Sequence, residues 1–155
     1  MVTLEAILER NNLNRAYKQV KANRGGPGVD GMTVDELLDY LRAHAVEIVE
    51  TVKAGKYKPQ PVRRVMIPKE EKGKFRPLGI PTAVDRVIQQ AIAQKLSDEY
   101  EPVFSLHSHG FRPCRSCRTA IDEALDIANQ GYVWVVDLDL SKFFDTVNHS
   151  KIGRA

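Results

Sequence analysis

The sequence predicts an α+β fold, and three observations carry that reading. Apolar side chains recur at helical spacing through residues 1–55. The pattern changes to two short strands around a charged, glycine-containing turn at about 61–81. An apolar run of strand length then lies near residue 135. Composition agrees: of 155 residues, 43% are hydrophobic and 28% charged, which excludes disordered, collagen-like and coiled-coil chains. The longest apolar run, Val133 to Val136, falls far short of the roughly 20 residues of a membrane span, so no membrane partner is expected. The first residues have no basic and apolar export signal. Two cysteines are too few to staple a secreted scaffold of this size and predict a reducing, cytoplasmic setting.

The elements follow in chain order. Leu4, Ile7 and Leu8, then Leu13, Ala16, Tyr17 and Val20, keep helical spacing with an interruption at Asn11-Asn12, where Asn12 is expected to cap the second piece. Gly25-Gly26 stops that helix, and the stretch from Gly25 to Gly31 must be a loop. Thr33 and Glu36 stand three apart as a capping box. They open a helix carrying Leu37, Leu38 and Leu41, and a further helix is expected from about His44 to Gly55. Pro61 to Pro68 and Phe75 to Pro81 are predicted to pair across the turn Lys69-Glu-Glu-Lys-Gly-Lys74, with prolines at the strand ends. A helix is predicted over about 83–100, from Val84, Val87, Ile88, Ala91, Ile92 and Leu96, and another over about 117–130. Tyr132 to Asp139 is predicted as a core strand that turns acidic, with Trp134 in the core, followed by a tight turn or short helix over 140–147. A single core strand without sheet partners predicts that the chain stops inside a fold and is a fragment.

Charge is unevenly placed. The net charge is +3, but from Lys53 to Arg118 there are 14 Lys and Arg against 6 Asp and Glu, a local +8, while the remainder is −5. A basic middle between acidic ends suits a polyanionic partner, although a solvated lysine-rich surface has the same composition. At the other extreme, Asp137 and Asp139 alternate onto one face of the predicted strand. Two neighbouring carboxylates need a cation, and a hard divalent ion such as Mg²⁺ fits. Read by themselves they equally suit a helix N-cap beside a surface acid.

The surrounding residues carry a more specific signal. Asp139-Leu-Ser-Lys-Phe143-Phe144-Asp145-Thr-Val-Asn148-His149 resembles the first catalytic motif of group II intron-encoded reverse transcriptase/maturases. Upstream, Asn12-Leu-Asn-Arg-Ala-Tyr17 and Gly28-Val-Asp-Gly31 resemble their N-terminal extension and its glycine-bearing loop. Lys58 to Lys69, Arg76-Pro-Leu-Gly-Ile-Pro-Thr82 and Asp85-Arg86-Val-Ile-Gln-Gln90 resemble the fingers hairpin and the helix behind it. Ser108-His-Gly110-Phe111-Arg112-Pro113 resembles the next block. The blocks occur in the family's order over nearly the whole chain.

The resemblance implies the N-terminal part of a right-hand polymerase: a helical N-terminal extension (1–55, loop 25–31), fingers (56–130) and a truncated first palm strand with its acidic motif (131–155). It implies an RNA-directed DNA polymerase that uses two Mg²⁺ ions, copies intron RNA into DNA, and assists splicing and retrohoming. Asp139 matches the metal-binding catalytic aspartate, with Asp137 the lesser candidate and the carbonyl of Leu140 assisting. Lys69 and Arg76 match the two triphosphate-binding positions, and Phe143 the residue beneath the incoming sugar. Arg63 and Arg64 alternate faces, so one of them is expected at the RNA backbone. Gly110, Phe111, Arg112 and Pro113 are expected along the template, Arg115 and Arg118 at phosphate, and loop 25–31 over the template–primer. Lys72 and Lys74 are expected to be solvated, and His149 to hydrogen-bond locally. Cys114-Arg-Ser-Cys117 has one half of a zinc-site spacing and no second pair.

The implied partners are group II intron RNA, an RNA template with its DNA primer, and dNTPs, with self-association through the exposed palm edge also expected. The family's second acidic motif, Tyr-x-Asp-Asp, does not occur in these 155 residues, so the chain by itself is expected to be inactive. Two alternatives stay open: a non-enzymatic intron-binding or splicing module or remnant, and a diversity-generating or CRISPR-associated cousin.

Overall fold

A computed structural model describes residues 1–140 and 143–148, with the backbone alone for Phe144 and Asp145. Two units emerge, Met1–Phe104 and the residues from Ser105 onward. The first begins with a four-residue helix, α1 (Leu4–Ile7), whose N-cap Thr3 accepts from Ala6 N through its hydroxyl. Helices α2 (Arg10–Ala22) and α3 (Leu37–Lys53) follow, then the strands β1 (Arg63–Pro68) and β2 (Phe75–Ile80), then α4 (Ala83–Tyr100) and a short 3-10 turn.

Small side chains decide how the core closes. Ala16 on α2 and Ala83 and Ala91 on α4 are fully buried, which lets the two helices approach closely, and Val20, Val84 and Val87 fill the seam. Leu37, the largest fully buried side chain, joins that seam from α3 with Val34 before it. Only the reverse half of the expected capping box forms: Thr33 N and Oγ1 both donate to Glu36 Oε2, at 2.9 and 2.7 Å, while α3 itself starts at Leu37 with Glu36 as its N-cap. That carboxyl is held below its usual range by those two bonds.

Two helix expectations need correction. The pair expected on either side of residue 43 is one continuous helix, because Arg42, Ala43, His44 and Ala45 include no helix breaker. It stops at Gly55, whose φ of 66° takes the chain into the left-handed region and lets Lys56 N reach Thr51 O at 2.9 Å. Asn12 is not a cap. It lies inside α2, buried, and donates through Nδ2 to Ile7 O (2.8 Å) and Ala91 O (3.0 Å), while Gln94 Nε2 donates to its Oδ1 (2.8 Å). A buried amide must be satisfied, and these tertiary partners use the whole group.

The two-stranded sheet is antiparallel, with Arg63 opposite Ile80 and Ile67 opposite Arg76. Lys69 N donates to Lys74 O at 2.8 Å across the turn, and Gly73, at φ 82°, supplies the left-handed residue that the turn requires.

In the second unit, α5 (Cys117–Asn129) opens on a reciprocal cap in which Ser116 and Thr119 exchange side-chain and backbone bonds at 3.0 and 3.3 Å. A short helix, α6 (Phe143–Thr146), lies near the end. The core strand expected at Tyr132 to Asp139 is absent: residues 132–140 adopt no regular structure, and Trp134 is 93% exposed instead of buried. A strand is held by its neighbour, and the only sheet among the described residues is the β1–β2 hairpin. The edge on which self-association was expected is therefore not a strand here.

Candidate nucleic-acid and nucleotide site

Register fixes which basic side chains of the hairpin share a face. Alternation places Arg63, Val65 and Ile67 with Arg76, Leu78 and Ile80 on one side, and Arg64 and Met66 with Pro77 and Gly79 on the other. Arg63, not Arg64, therefore shares the face of Arg76. Lys69, the first residue of the turn, and Arg76, the second of β2, line one open cavity of about 420 Å³ with Pro68, Glu70 and Glu71. Among the described residues neither of these cations holds an ion pair, whereas Lys74 Nζ is already committed to Glu71 Oε2 at 2.5 Å. A compact ammonium and a forked guanidinium in one open cavity can grip a phosphate chain.

The base of the hairpin is built around Asp85, which sequence reasoning gave no role. It is 2% exposed in the first turn of α4 and accepts three hydrogen bonds: from Tyr57 Oη (2.7 Å), Gln60 N (3.1 Å) and Thr82 Oγ1 (2.7 Å). Thr82, the N-cap, in turn accepts from Asp85 N at 3.2 Å. Burial and the neighbouring Asp85 push the Tyr57 hydroxyl well above its ordinary range. The only sequence signal for this cluster was the spacing Thr82-x-x-Asp85, an N-cap pattern that does not reveal Tyr57.

Loop 25–31 lies against the same base. A Cβ on Gly28 would stand 2.7 Å from Thr82 Cα, so only glycine allows this approach. Arg86 Nη2 donates to Gly26 O at 3.0 Å.

In the second unit, Gly110 to Pro113 form an exposed bend. Phe111 has a φ of 56° and a fully exposed ring, and Cys114 a φ of 57°. Left-handed backbone at non-glycine residues costs energy and concentrates at functional sites. Arg112 Nη1 donates to the carbonyls of Ser105 (2.6 Å) and Ser108 (2.8 Å), which holds the bend closed. Glu123 on α5 ties the same loop down: its carboxylate takes hydrogen bonds from His107 and from His109 Nε2 (2.6 Å), and these hold it below the usual carboxylate range. His109 Nδ1 also meets Thr119 Oγ1 at 2.9 Å.

Asp137, Asp139 and Leu140 are exposed, and without a strand nothing imposes the shared face expected for the two acids. Phe143 is half-exposed on α6. The role expected of His149 falls on a residue outside those described. Cys114 and Cys117 are exposed free thiols, and no group of three or more His, Cys, Asp or Glu among the described residues is placed to hold a metal.

Comparison with known proteins decides the family. The family model described as reverse transcriptase (RNA-dependent DNA polymerase) matches residues 67–155, more than half of the chain. The chain belongs to the reverse transcriptase family. This reverse transcriptase sequence is 40% identical over 134 residues to the group II intron-encoded protein LtrA of Lactococcus lactis subsp. cremoris, covering 86% of the chain and 22% of that protein. It is 40% identical over 158 residues to protein YkfC of Escherichia coli, covering 98% and 41%. It is 36% identical over 140 residues to the putative COX1/OXI3 intron 1 protein of Saccharomyces cerevisiae, covering 88% and 16%. The chain thus spans less than half the length of these curated relatives. The mixed helical and antiparallel architecture is compatible with part of a reverse transcriptase, and among the described residues no helix is long and apolar enough to cross a membrane.

Proposed function

We propose that these residues form the N-terminal extension, the fingers and the opening of the palm of an RNA-directed DNA polymerase encoded by a group II intron. The observation that carries this reading is the pairing of Lys69 and Arg76 in one open cavity at the end of a basic hairpin, within the stretch that matches the family. Intron RNA is the proposed template and partner, because relatives such as LtrA are named as intron-encoded proteins.

Each residue has a stated task. Lys69 and Arg76 bind the triphosphate of the incoming dNTP. Arg63 meets the RNA backbone on the same face as Arg76. The exposed ring of Phe111 and the bend Gly110 to Pro113 lie along the template, and Phe143 packs beneath the sugar. Asp139 and Asp137 are carboxylates, the donor chemistry that Mg²⁺ prefers, and Asp139 with the carbonyl of Leu140 would hold it. Bound Mg²⁺ would supply activation of the primer 3′-hydroxyl and neutralisation of the leaving pyrophosphate. The 155 residues contain no second acidic motif, so alone they are proposed to bind without catalysing. Splicing assistance and retrohoming are part of the same proposal, as is a cytoplasmic setting, which the two free thiols suit.

The test is primer extension on an RNA template by a protein that contains these residues together with a second acidic motif. Asp139→Ala should abolish extension and leave binding to intron RNA largely intact. Extension that survives the substitution overturns the assignment.

A further inference from the structure

The loop Gly25 to Gly31 lacks side chains where its neighbours come closest. Arg86, on the first turn of α4, reaches across 60 residues of sequence to donate from Nη2 to Gly26 O at 3.0 Å. Its Nη1 fills the space that a Cβ on Gly25 would take, 2.1 Å away, and its Nε is buried without a partner. Arg63 Nη2 lies 3.5 Å from the Cβ position of Gly26, and Gly28 abuts the main chain of Thr82. A guanidinium with a buried, unsatisfied Nε bears a desolvation cost, which the contact at Gly26 must offset. Arg63 belongs to the hairpin face of Arg76, so the loop edge and that face adjoin at Arg63.

We infer that Arg86 is a positioning residue that clamps loop 25–31 onto the hairpin base, so that the loop and the Arg63 face present one preorganised surface to the phosphate backbone of RNA. This rests on the RNA-binding reading proposed above. A loop held in place before binding avoids the ordering entropy that a free one pays on meeting its partner.

The experiment compares amide hydrogen exchange and binding to a structured group II intron RNA for the 155-residue chain and three variants. Arg86→Gln should speed exchange in residues 25–31 about tenfold, as loss of a charged hydrogen bond predicts, without changing α2 or the hairpin. It should also weaken RNA binding several-fold. Arg86→Lys, which can still reach one carbonyl, should restore part of both. Gly25→Ala, which displaces the guanidinium while keeping Arg86, should reproduce the loosening and guards against a folding defect in Arg86→Gln.

Unchanged exchange in both Arg86→Gln and Gly25→Ala overturns the clamp. Faster loop exchange with unaltered RNA affinity overturns its link to binding. Failure of the unaltered chain to bind RNA overturns the reading beneath the inference, and the exchange data then decide the clamp alone.

Discussion

The Tyr57 hydroxyl donates to Asp85 Oδ1 at 2.7 Å, joining the linker before the hairpin to the helix after it. Gln60 N and Thr82 Oγ1 bond the same carboxylate, so one buried acid holds three segments. Asp85→Ala strands three donors and should lower stability by on the order of 3 kcal/mol in denaturant unfolding. The effect should far exceed that of removing an exposed acid such as Asp98.

The same pair sets an alkaline limit. Burial first, then Asp85, raises the Tyr57 hydroxyl above its ordinary value of 10. The protonated form is the one the fold prefers, so this contribution is fully present below pH 10 and is lost as pH climbs through the raised folded value. Asp85→Asn should bring the Tyr57 titration down toward 10, read from phenolate absorbance. An unmoved titration would show that burial alone sets it.

Gly28 should tolerate no side chain. Its Cβ would meet Thr82 Cα at 2.7 Å and Thr82 N at 2.8 Å, and backbone cannot swing aside as a flexible side chain can. Gly28→Ala should cost about 1–3 kcal/mol and lower the thermal midpoint, whereas Gly31→Ala meets no neighbour and is strained only by its φ of 73°.

The second unit should loosen in acid. Hydrogen bonds from His107, then His109, depress Glu123 below its ordinary value of 4.5. Its contribution is therefore present above pH 4.5 and is lost as pH falls through the depressed folded value. Exchange of the loop amides between Ser105 and Ser116 should rise over that window, and Glu123→Gln should remove the dependence.

Legibility varied with how local the causes were. The hairpin was readable because its signals are local, period-two strands and a glycine in the turn, but Pro77 lies inside β2 opposite Met66 and not at a strand end, a place that a two-stranded edge tolerates. Helix α4 was readable for a similar reason, through its apolar spacing. Asn12 was misread, since its amide is claimed by Ala91, 79 residues away, and no local pattern encodes that bond. The strand at Tyr132 to Asp139 was misread because apolar, β-branched residues predict extension but cannot supply a pairing partner. For the site, Lys69 and Arg76 were named through the family resemblance alone, and register then separated Arg63 from Arg64. Arg86 escaped notice because its target is a main-chain carbonyl, which a sequence does not display.

The nucleotide reading has its own consequence. In a protein able to extend primers, Lys69→Ala and Arg76→Ala should each raise KM for dNTP by about tenfold or more, as loss of a charge-assisted phosphate contact requires. Lys74→Ala, whose ammonium is paired with Glu71, should change it little.

The most direct test of the account is binding of the 155-residue chain to a structured group II intron RNA, titrated against salt beside a DNA duplex of equal length. If the Arg63–Arg76 face and its clamped loop are an RNA surface, RNA should be preferred, and log affinity should fall against log salt with a slope of roughly −3, as four or so neutralised phosphates require. Weak binding with a shallow slope and no preference for RNA would contradict it.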